Sequence, residues 1–208
     1  GLDGLNLRNG YVKNRRVGYS VRFSPRPIAR RAEGREHVYS FALKERRTVE
    51  VRLALSAASL EGAVRNRAAE LDGRTFDEIR SSATARWADL LGRVELDPAT
   101  DPDVAAQFYT GLYRMMSVPS NIADAGEEPF YSELSLWDTF RGVHPFYTIV
   151  LPEMVPSFVN SLLKQGEKSG YLPVMPKWGQ ETQCMIGTHS VPMIVDWFLK
   201  EQVKVEGE

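Results

Sequence analysis

The spacing of apolar positions changes character along the chain. Tyr19-Ser20-Val21-Arg22-Phe23 alternates apolar and polar residues, and Thr48 to Leu55 alternates more clearly, with Val49, Val51, Leu53 and Leu55 on one face. A period of two predicts half-buried strands of an antiparallel sheet. Pro25 and Pro27 interrupt the first run and Gly34 marks a turn. From about residue 57 the period lengthens. Leu60, Val64, Ala68 and Leu71 recur at helical spacing behind Ser59, a residue type that caps helices, and Gly73 ends the run. Phe76, Ile79, Ala83, Trp87, Leu90 and Leu91 form a second helical face that stops at Gly92. Both stripes are flanked by Arg and Glu, as on a surface or between domains.

After a connector at Val94 to Pro98, Pro102 opens a third helical pattern with Ala105, Phe108, Tyr109, Leu112, Met115 and Met116 on one face. A polar loop spans Pro119 to Glu128, and an apolar run from Phe146 reaches Pro152. Further helical faces follow, at Val155, Phe158, Val159, Leu162 and Leu163 (closing near Gly166 and Gly170), and after His189 at Val191, Ile194, Val195, Phe198 and Leu199. Helices joined by long aromatic loops predict an α/α architecture whose loops gather on one face.

Composition narrows the function classes. The 208 residues are 43% hydrophobic and 25% charged, an ordinary globular balance. Net charge is −1, which supplies no bulk attraction to nucleic acid or to an anionic membrane. The single cysteine, Cys184, excludes an internal disulfide framework and a multi-thiolate zinc site; it lies among Gln183, Met185 and Ile186, and because free cysteines are commonly core residues it is expected to be a buried, inert thiol. The sequence contains no apolar run long enough for a transmembrane helix. The first residues hold no signal-peptide pattern, and the last, Val203 to Glu208, follow a helix pattern without a closing element, so the chain reads as a piece of something larger.

Two segments, both read as loops, concentrate chemistry. Ser135 to Pro145 places Trp137, Asp138 and Arg141 together, and Tyr171 to His189 places Trp178, Gln180, Glu181 and His189 together. An indole offers an apolar plate to the C–H face of a sugar, while carboxylate and guanidinium bind hydroxyls directionally. The same residues equally suit a buried Trp with an Asp–Arg pair that fixes a loop. Glu181 suits a general acid if an apolar wall raises its pKa, and equally a helix start whose Glu stabilises its own first turn. His37, His144 and His189 lack the spacing of a metal-ligand motif.

These segments resemble glycoside hydrolase family 92, the calcium-dependent exo-acting α-mannosidases. Phe108-Tyr109-Thr110-Gly111-Leu112-Tyr113 is similar to the family's F-Y-T-A-L-Y helix, Ser135 to Pro145 to its S-L-W-D-T-F-R-x-x-H-P segment, and Trp178 to His189 to its W-G-N-E-T-x-x-M-I-G-x-H segment. Residues 48 to 93 resemble the family's strand-to-helix junction, ending in Trp87 and Leu91-Gly92. The resemblance covers roughly residues 40 to 200.

It implies an α+β chain that is mostly α. Residues 1–56 would be the last strands of a β-sandwich, 57–97 a helical linker, and 98–208 the first helices of an incomplete (α/α)6 barrel or toroid. It implies inverting hydrolysis of terminal α-mannosides of glycans, N-glycans among them. An acid and a base carboxylate stand about 6.5 to 9.5 Å apart in such enzymes, and calcium orients the sugar's hydroxyls. Carried over by motif, Trp137, Asp138, Arg141, Trp178, Gln180 and Glu181 bind substrate. Gln180 stands where the family has Asn, and Gly111 where it has Ala. The family's motifs for the acid, the base and most calcium ligands have no counterpart in the chain and would follow residue 208. The resemblance therefore implies no catalytic and no metal-binding residue within the chain, and little activity by itself. A non-catalytic mannose-binding or scaffold remnant is the alternative. Implied partners are mannose-containing glycans and the remainder of a parent polypeptide, with no nucleic acid and no transmembrane segment. Export to the periplasm or the cell exterior is also implied. An incomplete toroid is expected to expose Val159, Leu163, Val195 and Phe198.

Overall fold

The computed structural model describes residues 1–8, 12–34, 36–43, 47–132 and 134–200. The tail from Val203 to Glu208, read above as lacking a closing element, lies outside the described residues. Helices and small antiparallel sheets make two compact units. The first comprises residues 1–7, 16–81 and 124–126; the second comprises 8–15, 82–123 and 127–208.

In the first unit, strands β1 (Leu2–Arg8), β2 (Arg15–Ser24) and β5 (Glu50–Ser56) form a sheet in the order β1-β2-β5. Strands β3 (Ala29–Glu33) and β4 (Glu36–Ser40) form a separate hairpin. β2 and β5 pair antiparallel with Tyr19 opposite Leu55, Val21 opposite Leu53 and Phe23 opposite Val51. Helix α1 (Leu60–Glu70) follows β5 directly and packs against it. Ser59 caps α1, its hydroxyl accepting from the Gly62 amide at 2.9 Å. The Gly18 backbone comes so near the start of α1 that a Cβ there would stand 2.0 Å from the Ser59 carbonyl oxygen.

The alternation in β5 is real, but its covered face is the opposite one. Ala54 and Ser56 are buried, whereas Val51, Leu53 and Leu55 are about half exposed. Polar bonds hold the covered face. Asn66 Nδ2 donates to the Leu55 carbonyl at 2.8 Å and to Asp124 Oδ1 at 2.9 Å, and Ser56 donates to Asp124 Oδ2 at 3.0 Å. Arg67 donates to Ser20 at 3.0 Å and pairs with Asp72, while Ser20 donates to Asp3 at 2.5 Å. Arg52 donates to the Leu71 and Arg74 carbonyls beyond the C-terminal end of α1. Buried groups with named partners replace what the alternating pattern had assigned to side-chain hydrophobicity.

Helix α2 (Phe76–Leu91) contains no buried residue, consistent with its Arg- and Glu-rich surroundings in the sequence. In the second unit, α3 (Pro102–Met115) is capped by Asp101 with Pro102 in its first turn. Two short hairpins follow the chain order: β6 (Ser120–Asn121) with β7 (Tyr131–Ser132), and β8 (Pro176–Lys177) with β9 (Gln180–Glu181). Ser135 to Pro145, read as a loop, contains helix α4 (Leu136–Thr139) and the start of α5 (Val143–Val150). Four residues are too few to display a helical period. A single 3-10 turn (Pro152–Met154) leads into α6 (Val155–Ser169), which Gly170 closes at φ +83°. Helix α7 spans Ser190–Leu199.

The core of this unit is apolar and continuous. Leu136, Tyr147, Phe158, Leu162, Met193 and Trp197 are all buried within it. Val159 belongs to it at 1% exposure, contrary to the expectation that its face lies open; Leu163, Val195 and Phe198 are indeed exposed. Among the described residues no single helix is long and apolar enough to cross a membrane.

Candidate functional site

The first candidate segment is built on α4. Ser135 Oγ donates to Asp138 Oδ2 at 2.5 Å, which fixes an exposed carboxylate three residues along the chain. Arg141 donates to the Trp137 carbonyl at 3.1 Å, and its guanidinium carbon lies 5.1 Å from the centre of the Phe140 ring. The Asp–Arg pairing considered from composition is therefore replaced by two separate contacts, Ser135 with Asp138 and Arg141 with the Trp137 backbone. Trp137 is half-buried, and its indole N–H is buried without a hydrogen-bond partner among the described residues.

The second segment is a tight hairpin. Trp178 and Gly179 connect β8 to β9 with φ of +54° and +72°. Positive φ at both central residues matches the right-handed twist of the flanking strands. A Cβ at Gly179 would stand 2.8 Å from the Phe130 ring, so glycine is required there twice over. The Arg15 guanidinium lies 4.2 Å from the centre of the Trp178 ring and covers one face of that indole. Gln180 is exposed on β9.

Glu181 has a definite structural task. One carboxylate oxygen accepts from the Val174 amide at 2.5 Å and the Met175 amide at 3.0 Å. The other accepts from the Gln183 amide at 2.8 Å and the Thr182 hydroxyl at 3.3 Å. Three backbone N–H groups that would otherwise lack partners are satisfied by one side chain. Glu181 starts no helix, since α7 begins nine residues later. Cys184 is exposed rather than buried, with its sulfur 3.0 Å from the Thr182 hydroxyl.

The two segments touch. The Leu134 amide donates to the Pro176 carbonyl at 3.1 Å, and the Gly179 amide to the Ser132 hydroxyl at 2.9 Å. Phe140 and His189 rings lie 4.5 Å apart. The short helix carrying Trp137, Asp138 and Arg141 is thereby held beside the hairpin carrying Trp178, Gln180 and Glu181.

His144, at the start of α5, is 1% exposed and packs edge-on against Tyr147 and Trp197. Burial lowers its pKa to about 3, so the ring is neutral and serves the core rather than proton transfer. Burial also raises the Tyr147 hydroxyl, which donates towards the Met115 and Val118 carbonyls, both at 2.6 Å.

Chemically, the arrangement offers two indoles, an exposed carboxylate, an exposed amide and a guanidinium along one stretch of the second unit. These groups suit recognition of hydroxyls and of C–H faces. Among the described residues, no three His, Cys, Asp or Glu side chains gather as a metal site requires. Reasoning from sequence missed Arg15, which lies 163 positions from Trp178 and carries no local signal. It also missed the Ser135–Asp138 bond, for which the spacing of three was a usable sign.

Comparison with known proteins gives this site its context. The model of the glycosyl hydrolase family 92 catalytic domain matches residues 62–207. The family GH92 α-mannosidase BT3965 from Bacteroides thetaiotaomicron superposes with a TM-score of 0.87 at 29% identity, over 98% of this chain and 32% of its own. The complex of that enzyme with mannoimidazole gives 0.85 at 29% identity, over 98% and 31%. The family GH92 inverting mannosidase BT2199, from the same organism, gives 0.86 at 26% identity, over 98% and 32%. No curated protein matches the chain. The chain thus spans about a third of the length of the solved structures it matches. With the family model covering more than half of its residues, this chain belongs to glycosyl hydrolase family 92.

Proposed function

We propose that this chain forms part of an exo-acting α-mannosidase that hydrolyses terminal α-mannosides of glycans with inversion. The observation that carries this reading is the likeness to the inverting mannosidase BT2199 over 98% of the chain. Within the proposal, the Trp137 indole packs against the C–H face of mannose, Asp138 accepts from its hydroxyls and Arg141 donates to them. Trp178 and Gln180, on the neighbouring hairpin, add contacts to the same sugar. Glu181 is a positioning residue: its carboxylate fixes the Val174, Met175 and Gln183 amides, and with them the approach to the hairpin.

Inversion needs an acid and a base carboxylate about 6.5 to 9.5 Å apart, with room for water between them. We assign neither role within this chain, and infer that residues 1–208 alone do not turn over. Calcium is proposed from the family resemblance only. The described residues do not fit it, for they gather no group able to hold a metal, and no step is derived through it. In the same reading, residues 1–56 close a β-sandwich, 57–97 link, and 98–208 begin an (α/α)6 barrel. The remainder of the polypeptide covers Leu163, Val195 and Phe198, and the protein is exported.

The test uses an aryl α-mannoside with calcium present. A polypeptide of the relatives' length containing these residues is expected to release mannose, first seen by NMR as the β anomer. Residues 1–208 alone are expected to release none above background. Failure of the long form, or first release of the α anomer, overturns the enzymatic reading; chelator-sensitive turnover by residues 1–208 overturns the assignment of the acid and base elsewhere.

A further inference from the structure

The net charge of −1 conceals a sharp local imbalance. Residues 4 to 32 contain eight basic residues and no acidic one. Part of this excess surrounds a hollow of about 480 Å³ in the first unit, whose lining includes Arg22, Phe23, Arg26, Ile28, Arg30 and Tyr39. Its size is that of a small-molecule site.

The aromatic part is ordered by strand pairing. Phe23 and Tyr39 rings lie 4.7 Å apart, and Arg30 on β3 stands opposite Tyr39 on β4. Ile28 adds an exposed apolar wall. The Tyr39 hydroxyl is buried and has no hydrogen-bond partner among the described residues.

The three guanidiniums differ in their commitments. Arg22 is held by Asp3 through bonds of 2.6 and 2.9 Å, and this bond holds the Asp3 pKa down at about 2. Among the described residues, the Arg30 guanidinium meets only the His37 ring, at 3.3 Å. Arg26 has no hydrogen bond or ion pair among the described residues, and stands between Pro25 and Pro27, whose rings restrict the backbone that carries it. Like charges collected around an apolar recess, with too few acids to neutralise them, create a field that an anion relieves.

We propose that this hollow binds an anionic saccharide, a sugar bearing phosphate, sulfate or a carboxylate. Arg26 and Arg30 take the anion, since the planar guanidinium fork matches the oxygens of all three groups. Phe23 and Tyr39 take the C–H face of the ring. That the ligand is anionic rests on the arginines; that the charge is carried on a sugar rests on the glycan-hydrolase reading above. A nucleic-acid strand also joins aromatic stacking to positive charge, but it requires a groove that tracks several nucleotides. An open recess of about 480 Å³, with the Phe23 and Tyr39 rings tilted at 43° to each other, has room for one sugar rather than a track of stacked bases.

Calorimetric titration of the intact protein tests this, with glucose phosphate, glucuronate, inorganic phosphate, methyl α-mannoside and a single-stranded oligonucleotide as probes. Glucose phosphate or glucuronate is expected to bind about fivefold or more tighter than inorganic phosphate, and to weaken about tenfold as salt rises from about 20 to about 200 mM. The Arg26→Gln/Arg30→Gln double variant is expected to weaken this binding about tenfold with an unchanged melting temperature, and Arg26→Glu/Arg30→Glu to abolish it. In a polypeptide of the relatives' length carrying the same substitutions, hydrolysis of aryl α-mannoside is read in parallel and is expected to equal that of the unsubstituted form. Unaltered affinity in both variants overturns the proposal, as do equal affinities for inorganic and sugar phosphate, or tighter binding of the oligonucleotide than of any saccharide. Loss of the hydrolytic reading leaves the anion arm standing, because binding is measured without turnover.

Discussion

The sheet of the first unit and the helical core of the second solve the same packing problem by opposite means. Where α1 meets β5, the small residues Ala54, Gly62 and Ala63 are covered together with the polar Ser20, Ser56, Asn66 and Arg67, and the bonds of Asp124 and Asp3 hold the polar ones. Where α5, α6 and α7 meet, the covered residues are Tyr147, Phe158, Leu162, Met193 and Trp197. A polar interface derives its specificity from a few directional bonds and is vulnerable to loss of a single partner. An apolar core is vulnerable to loss of volume. The contrast teaches that alternation in a strand shows that two faces differ, and that the face covered within this chain is the polar one.

The contrast can be broken most forcefully at Trp197. Trp197→Ala is expected to cost about 3–5 kcal/mol, and amide exchange should show the loss in α6 and α7 while α1 and β5 stay protected. Equal loss of protection in both regions would show that they unfold together. Asn66→Ala comes next. It leaves the Leu55 carbonyl, Asp124 and the Ala125 amide short of a partner, at an expected cost of about 2 kcal/mol. A urea titration read through amides of β5 should find it, and a cost near zero would mean that water serves these groups as well as Asn66 does.

The smallest effect sharpens the comparison through pH. His144 is neutral when folded because burial lowers its pKa to about 3, whereas the unfolded ring titrates near its ordinary value of 6.5. The unfolded state therefore binds the extra proton. Stability is present in full above pH 6.5 and is lost as pH falls towards 3, by about 1.4 kcal/mol one pH unit below 6.5. Asp3, held at about 2 by Arg22 against an ordinary 3.8, contributes stability that persists above 3.8 and disappears only as pH falls towards 2. Acid titration followed residue by residue should weaken α5–α7 before β1 and β2. His144→Gln should remove the upper window alone.

Much of this architecture could be read ahead of the structure wherever one segment decides its own conformation. The Ser59 cap, the helices from Leu60, Phe76, Pro102, Val155 and Ser190, and the Gly170 stop all depend on residues within a turn or two of each other. The ordered motifs of Phe108 to His189 pointed to the family whose model matches residues 62–207. What escaped depends on distant partners. The bonds to the polar face of β5 come from Asn66 and Asp124, far along the chain. Val159 is buried in the cluster that also holds Leu134, Leu136, Met193 and Trp197, residues distant along the chain. Cys184 is exposed although free cysteines are commonly buried, and Glu181 serves backbone amides that carry no mark in a sequence.

The left-handed backbone of Trp178 has a consequence for laboratory evolution. Glycine or asparagine adopts that conformation at less cost than a bulky aromatic residue. Variants screened solely for heat tolerance would drift towards those smaller residues at this position. An indole that survives such drift does so because the screen, or nature before it, also rewarded something the indole touches.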